Sequence, residues 1–167
     1  MKFPANINVL VLFGVAILSS SCITGSHAGK LVSGDAVQTL ATMAPSSGKA
    51  VVVFCREAKI IGCAGSLRVR AEGDILVDVP NGTNVRCELA PGKHHFSMSS
   101  LTPFGEIPGD SECDLTLVLE SGKIRFASVA LTDAIVGGGG LAEISPRRAS
   151  DLIAKNKARI VDTPEAK

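Results

Sequence analysis

Asn81-Gly-Thr-Asn-Val-Arg-Cys-Glu-Leu-Ala-Pro-Gly-Lys-His-His-Phe96 reads as two short antiparallel strands joined in a hairpin at Pro91-Gly92. Pro presets φ for the second turn position, and Gly tolerates the positive φ that a type II turn needs next. Before the turn, Val85, Cys87 and Leu89 share one face, while Arg86 and Glu88 take the other. After it, His94, Phe96 and Met98 alternate with Lys93, His95 and Ser97. Such period-two patterning marks half-buried strands.

The same pattern extends outward in both directions. Ala50-Val-Val-Val-Phe54 is β-branched and almost wholly apolar, as in a strand covered on both faces. Leu67-Arg-Val-Arg70 alternates, Ala71-Glu-Gly-Asp74 reads as a turn, and Ile75, Val77 and Val79 alternate again. Downstream, Pro103, Gly105, Pro108 and Gly109 mark a loop. Cys113, Leu115, Leu117 and Leu119 alternate, Glu120-Ser-Gly-Lys123 reads as a hairpin turn, and Ile124 to Leu131 runs back. Short strands with turn signals roughly every ten residues predict an antiparallel β-sandwich. Gly137 to Gly140 reads as a flexible link that lets the C-terminal segment swing back over the domain. Ser145-Pro146 starts a short helix, with Ala149, Leu152 and Ile153 as its apolar stripe.

The N-terminus is a targeting segment. Lys2 supplies its positive charge, and the apolar run from Ile7 to Leu18 is too short for an ordinary transmembrane helix, so it reads as an export signal. Leu18-Ser-Ser-Ser-Cys22 resembles a lipobox, in which Cys22 would be lipidated and become the new N-terminus; Ser19 stands where that motif usually has Leu, Val or Ile. Ordinary cleavage after Ser26-His27-Ala28 is the alternative. The expected organisation is a signal peptide over residues 1–28, a tether over 29–48, a β-sandwich over 49–162 and a disordered tail over 163–167. Localisation is then the cell envelope, membrane-anchored and facing the periplasm or the cell surface.

Composition narrows the function classes. Of 17 basic and 16 acidic residues the leader carries only Lys2, so the mature chain balances 16 against 16. That argues against a nucleic-acid partner, which calls for a basic excess. Trp and Tyr are absent, which removes the amphipathic rings that dominate binding hot spots and stacking platforms.

Of five cysteines, either cleavage route leaves Cys55, Cys63, Cys87 and Cys113 for pairing, and an oxidising compartment permits all three connectivities. Cys87 and Cys113 both fall on inward faces, and Cys55 and Cys63 flank one loop, so the expected disulfides are Cys55–Cys63 and Cys87–Cys113. Four buried thiols are the alternative.

No cofactor or metal is expected. The close Cys pairs of structural zinc sites are missing, and the neighbouring His94 and His95 point to opposite faces of a strand. There is no Gly-x-Ser-x-Gly elbow, and His94 reads as a hydrogen-bonded core histidine. Cys55 or Cys63 with His95 lacks a third residue for nucleophilic catalysis. The candidate interaction residues are the outward Arg86, Glu88 and His95. Arg147 and Arg148, with Lys155, also give the C-terminal helix a basic face that suits anionic lipid or another envelope polymer, against the preferred reading of a solvated face.

Gly48-Lys-Ala-Val-Val-Val-Phe54, Val77 with Asn81-Gly-Thr83, Leu89-Ala-Pro-Gly-Lys-His94 and Ser121-Gly-Lys123 together resemble the exported bacterial lipoprotein family known as domain of unknown function 2846. The Pro-Gly-Lys-His turn is also similar to that of small PEGA-type β-sandwich modules. The resemblance covers roughly Lys49 to Asp162 by pattern. It implies an Ig-like or related sandwich attached to the envelope, with no established activity and no functional residues to carry over. Strand cysteines and the missing aromatics after Ser-Gly-Lys depart from the family's usual look. The expectation is a noncatalytic, lipid-anchored β-sandwich that binds or supports an envelope protein or surface component; the alternative is a small periplasmic hydrolase or thiol enzyme.

Overall fold

The computed structural model describes residues 43–59, 65–131 and 139–160. Cys22, Cys63, the leader and the tail over 163–167 lie outside these residues.

Among the described residues the chain is mainly β, two sheets packed face to face with one short helix. The described residues form, in order, β1 (Ala50–Cys55), β2 (Ser66–Ala71), β3 (Asp74–Val79), β4 (Thr83–Leu89), β5 (Gly92–Thr102), β6 (Gly105–Pro108), β7 (Asp114–Leu119), β8 (Ile124–Leu131), β9 (Gly139–Glu143) and β10 (Lys157–Ile160). The helix, α1 (Pro146–Lys155), lies between the last two. One sheet has the order β10-β4-β1-β8-β9; in the other, β3-β2-β5 continues to β6, and β7 also pairs with β5. The first sheet is mixed, because β1 runs parallel to β8 and β10 parallel to β4. Within it, β1 and β4 form the antiparallel centre.

The opening stretch folds as strands, but not as a hairpin. β4 pairs with β1 in one sheet, whereas β5 pairs with β2, β6 and β7 in the other. Pro91-Gly92 is therefore an arch between sheets, with Gly92 at φ 141°. The Glu120–Lys123 turn corrects in the same way, since it carries the chain from β7 in the second sheet to β8 in the first. Ala71–Asp74 does close a hairpin. Glu72 and Gly73 both have positive φ, 53° and 91°, the requirement of a type I′ turn whose twist matches that of the flanking strands. The predicted loop around Pro103 contains a further hairpin, as Thr102 pairs with Gly105 and Ser99 with Pro108.

The core between the sheets is aliphatic, centred on Phe54 and Phe96, whose rings meet edge to face at 5.6 Å. A second apolar layer lies on the outer face of the first sheet. There Val51, Val53, Cys55 and Phe126 are covered by Ala149, Leu152 and Ile153 of α1. All six residues of β1 are consequently buried. Ser145 caps α1 by accepting from the Arg148 backbone N–H at 3.3 Å, and Pro146 sits in the first turn. At its other end, Asn156 Nδ2 donates to Arg56 O at 2.9 Å and to Asn84 Oδ1 at 3.1 Å. The helix thus straps across the sheet from the β9 edge to the β10 edge. Gly139 and Gly140, read as part of a flexible run, are the first residues of β9 and pair with Leu131 and Ala130.

The expected Cys87–Cys113 disulfide is not formed. Cys87 and Cys113 both face the central core, as parity predicts, but remain thiols. Cys113 ends a 3-10 turn, Ser111–Cys113, that packs against β9, while Cys87 sits on β4. In the sheet order β4 and β9 are three strand spacings apart. Sharing the core is not enough, since a disulfide needs a specific close approach of the two side chains. Cys55 is also a thiol, pointing into the helix-facing layer; the expected Cys55–Cys63 pair involves Cys63, which lies outside the described residues.

Candidate functional site

Strand directions bring most of the connections to one end of the sandwich. β1, β3, β5 and β8 finish there, and β2 and β4 begin there. Two features mark this loop end. The first is the tip of the β5–β6 hairpin, where Phe104 is 100% exposed. It is held out by a tight turn, in which the Thr102 hydroxyl donates to Gly105 O at 2.9 Å and accepts from the Phe104 backbone N–H at 3.2 Å.

The second feature is a cavity of about 190 Å³ between the ends of β1 and β8 and the Arg148–Leu152 face of α1. Its apolar lining comes from Val129, Ala130, Leu131, Ile144 and Leu152. Glu57, Lys59 and Arg148 stand around it. The β1–β2 connection is fixed to the β3–β4 turn by the Asn81 side-chain amide, which accepts from Lys59 N at 3.1 Å and donates to Lys59 O at 2.8 Å. Arg56 is buried, donating to Gly65 O at 2.9 Å and Val79 O at 2.7 Å, and burial lowers its pKa from the usual guanidinium value. Cys55 also borders the cavity, yet burial pushes its thiol up to about 12 and it donates weakly to Val53 O at 3.9 Å. A nucleophilic cysteine needs the opposite shift.

The predicted interaction residues are scattered over three surfaces. Arg86 and Glu88 do point away from the central core, but Arg86 is only 3% exposed. It binds Glu88 Oε1 at 2.8 Å and lies under the chain at Met43 and Ala44, while Ser46 N donates to Glu88 at 3.2 Å. This pair fastens the end of the tether to the first sheet and is not a free surface, which corrects the expectation for both residues. His95 is half-exposed on the outer face of the second sheet, 3.4 Å from Thr116 Oγ1 and 3.9 Å from Asp114 Oδ1. His94 points the other way and lies at the rim of the core, where Nε2 donates to Ala90 O at 2.9 Å and the ring stacks on Phe96. Parity separates the two histidines as predicted. It also places His95 on the opposite side of the molecule from Cys55. Arg147 and Arg148 are exposed on α1.

One cluster was not anticipated. On the outer face of the second sheet, Arg68 grips Asp78 with two bonds, 2.8 and 3.0 Å, and Arg70 grips Glu106 with two more, 2.9 and 3.1 Å. Arg68 also reaches Glu106 at 3.1 Å, and the Ser99 hydroxyl donates to Glu106 at 2.6 Å. Hydrogen bonds from Ser99 and Arg70 hold the Glu106 carboxyl below the usual carboxylate range. Alternation places Arg68 and Arg70 outward, but their partner Glu106 falls in the stretch that reads as loop. Among the described residues no group of three His, Cys, Asp or Glu side chains could hold a metal ion, and no helix is long and apolar enough to cross a membrane.

No family model and no curated protein matches the chain.

Proposed function

We propose that the chain is a noncatalytic, exported envelope protein: an Ig-like or PEGA-like β-sandwich, held to the membrane through a lipidated Cys22, whose loop end binds another envelope protein. The observation that carries this reading is Phe104, a large apolar side chain left 100% exposed at a hydrogen-bonded hairpin tip. Burying a phenyl group against a partner is worth roughly 1.5–3 kcal/mol, and aromatic anchors set into a pocket are the usual centres of protein interfaces. A rigid two-sheet scaffold with connections gathered at one end is a common platform for recognition. The thiol-enzyme alternative loses support from the Cys55 thiol, pushed up to about 12 by burial and remote from His95.

A photo-crosslinking side chain at position 104 in intact envelopes tests the docking surface, with position 118, 60% exposed at the far end of the second sheet, as control. A discrete adduct from 104 and none from 118 is expected. Equal labelling from both, or none from either, would sink the docking surface. Mass spectrometry of the membrane-extracted protein tests the anchor, since an unmodified N-terminus at Gly29 would exclude lipidation at Cys22.

A further inference from the structure

The cavity beside α1 plays no part in the docking role of Phe104 and has its own chemistry. Its volume is about 190 Å³. An apolar cavity of about 150 Å³ takes up benzene, so one ring or one short branched chain fits here. The polar groups of the lining are already engaged. The Ser128 hydroxyl donates to Ala142 O at 3.4 Å, the Asn81 amide is fixed on the Lys59 backbone, and Arg56 is bound to main-chain carbonyls. What remains lies around the opening. The Lys59 ammonium has one long contact, 3.5 Å, to Leu131 O. Arg148 hydrogen-bonds through its backbone, and its guanidinium has no partner among the described residues. Glu57 is the one carboxylate in the lining, against the cations Arg56, Lys59 and Arg148, so the site is net positive.

We propose that this cavity is a binding site for a small organic monoanion, an apolar ring or branched chain bearing one carboxylate. The hydrocarbon body packs on Ala130, Leu131, Ile144 and Leu152, and the carboxylate meets Arg148 and Lys59. A guanidinium offers a carboxylate two parallel donors, which fixes its orientation. Glu57 disfavours a second anionic group on the ligand, because a dianion would bring it against that carboxylate. The inference depends on neither the lipid anchor nor the partner of Phe104. Failure of the crosslinking experiment leaves it standing, and its own failure leaves the crosslinking result standing.

The test is an amide NMR titration of the purified chain with benzoate and with 3-methylbutanoate, using benzyl alcohol and inorganic phosphate as comparators. Benzoate should give saturable shifts at Glu57, Lys59, Ala130, Arg148 and Leu152, with a Kd below about 10 mM. Benzyl alcohol should bind about tenfold more weakly, and R148Q should weaken benzoate about tenfold, the loss expected for one charge-assisted hydrogen bond. Ala130→Leu should abolish binding by filling the floor. Should that variant not fold, R148Q, an exposed change on α1, decides alone. The proposal is overturned by an absence of saturable shifts, by benzyl alcohol or phosphate binding as tightly as benzoate, or by unchanged affinity in R148Q.

Discussion

Replacing Glu88 by Gln should destabilise the fold far more than replacing its partner Arg86 by Met. Arg86 is 3% exposed and its guanidinium depends on Glu88 for its one short contact, at 2.8 Å. The carbonyls of Met43 and Ala44 are both 3.4 Å away, and Nε has no hydrogen-bond partner. E88Q leaves a buried cation without its counter-charge. Breaking one side of a buried pair costs about 3–5 kcal/mol. The Glu88 side chain is 25% exposed, so water offsets part of that loss, and about 2–3 kcal/mol is expected. R86M removes the charge and the orphaned Nε together and fills the space with a flexible apolar chain. Glu88 then keeps the Ser46 amide and its access to water, so the change should stay within about 1 kcal/mol.

The acid limb gives an independent reading of the same pair. Burial pushes the Glu88 carboxyl up, but hydrogen bonds from Ser46 and Arg86 outweigh it and hold the pKa below the usual value. A carboxylate depressed in the folded state adds stability that is complete above its unfolded pKa and is lost as pH falls through the folded value. The gap between wild type and E88Q should therefore be full near neutrality and close on acidification below the ordinary carboxylate range. Urea unfolding followed by far-UV circular dichroism measures it, since the chain has no Trp or Tyr to report by fluorescence. A cost for R86M equal to that for E88Q, or a gap indifferent to pH, would refute the reasoning.

Two other outcomes are expected. Burial pushes the thiols of Cys55 and Cys87 up to about 12, so iodoacetamide at neutral pH should spare both in the folded chain and modify both in guanidinium, as read by peptide mass spectrometry; a disulfide-linked peptide from native protein would contradict the free-thiol core. Gly109→Ala should cost about 1–3 kcal/mol or more and lower Tm by several degrees, because a Cβ there would overlap the Met98 carbonyl oxygen and the Cys113 side chain; an unchanged melting curve would show that the turn after β6 can shift away.

Which residues face inward was legible in the sequence; which strands pair was not. Alternation tells the two faces of a strand apart, and that distinction is the same for a hairpin as for an arch between sheets. In both, Val85, Cys87, Phe96 and Met98 point into one core, so the period could not reveal that β4 and β5 belong to different sheets. The disulfide error has the same origin. Parity put Cys87 and Cys113 in the core correctly but carried no information about lateral distance across the sheet. Unbroken apolarity in Ala50–Phe54 did signal a strand covered on both faces, and α1, with its Ala149, Leu152 and Ile153 stripe, supplies the second cover. The outward Arg86 was misjudged because the chain at Met43 and Ala44 lies over that part of β4. Its first five residues are all buried, Asn84 and Arg86 included. At the loop end, Phe104 was hidden by punctuation: Pro103 and Gly105 mark a turn without saying how far its tip projects.

Desolvation explains why recognition should concentrate at the loop end. In the first sheet, β1 and β8 are covered by the second sheet within and by α1 without. The second sheet has an open outer face, but its charges are bound to one another. A ligand there would have to break the Arg68–Asp78 and Arg70–Glu106 pairs, four hydrogen bonds between 2.8 and 3.1 Å, before making any of its own. Binding free energy is the surplus left after such groups are stripped of their existing partners, and a satisfied ion-pair lattice leaves little. At the loop end the balance reverses. Phe104 is in water already, so covering it removes apolar surface from solvent, and the Arg148 guanidinium has no protein partner among the described residues to break before it meets a ligand.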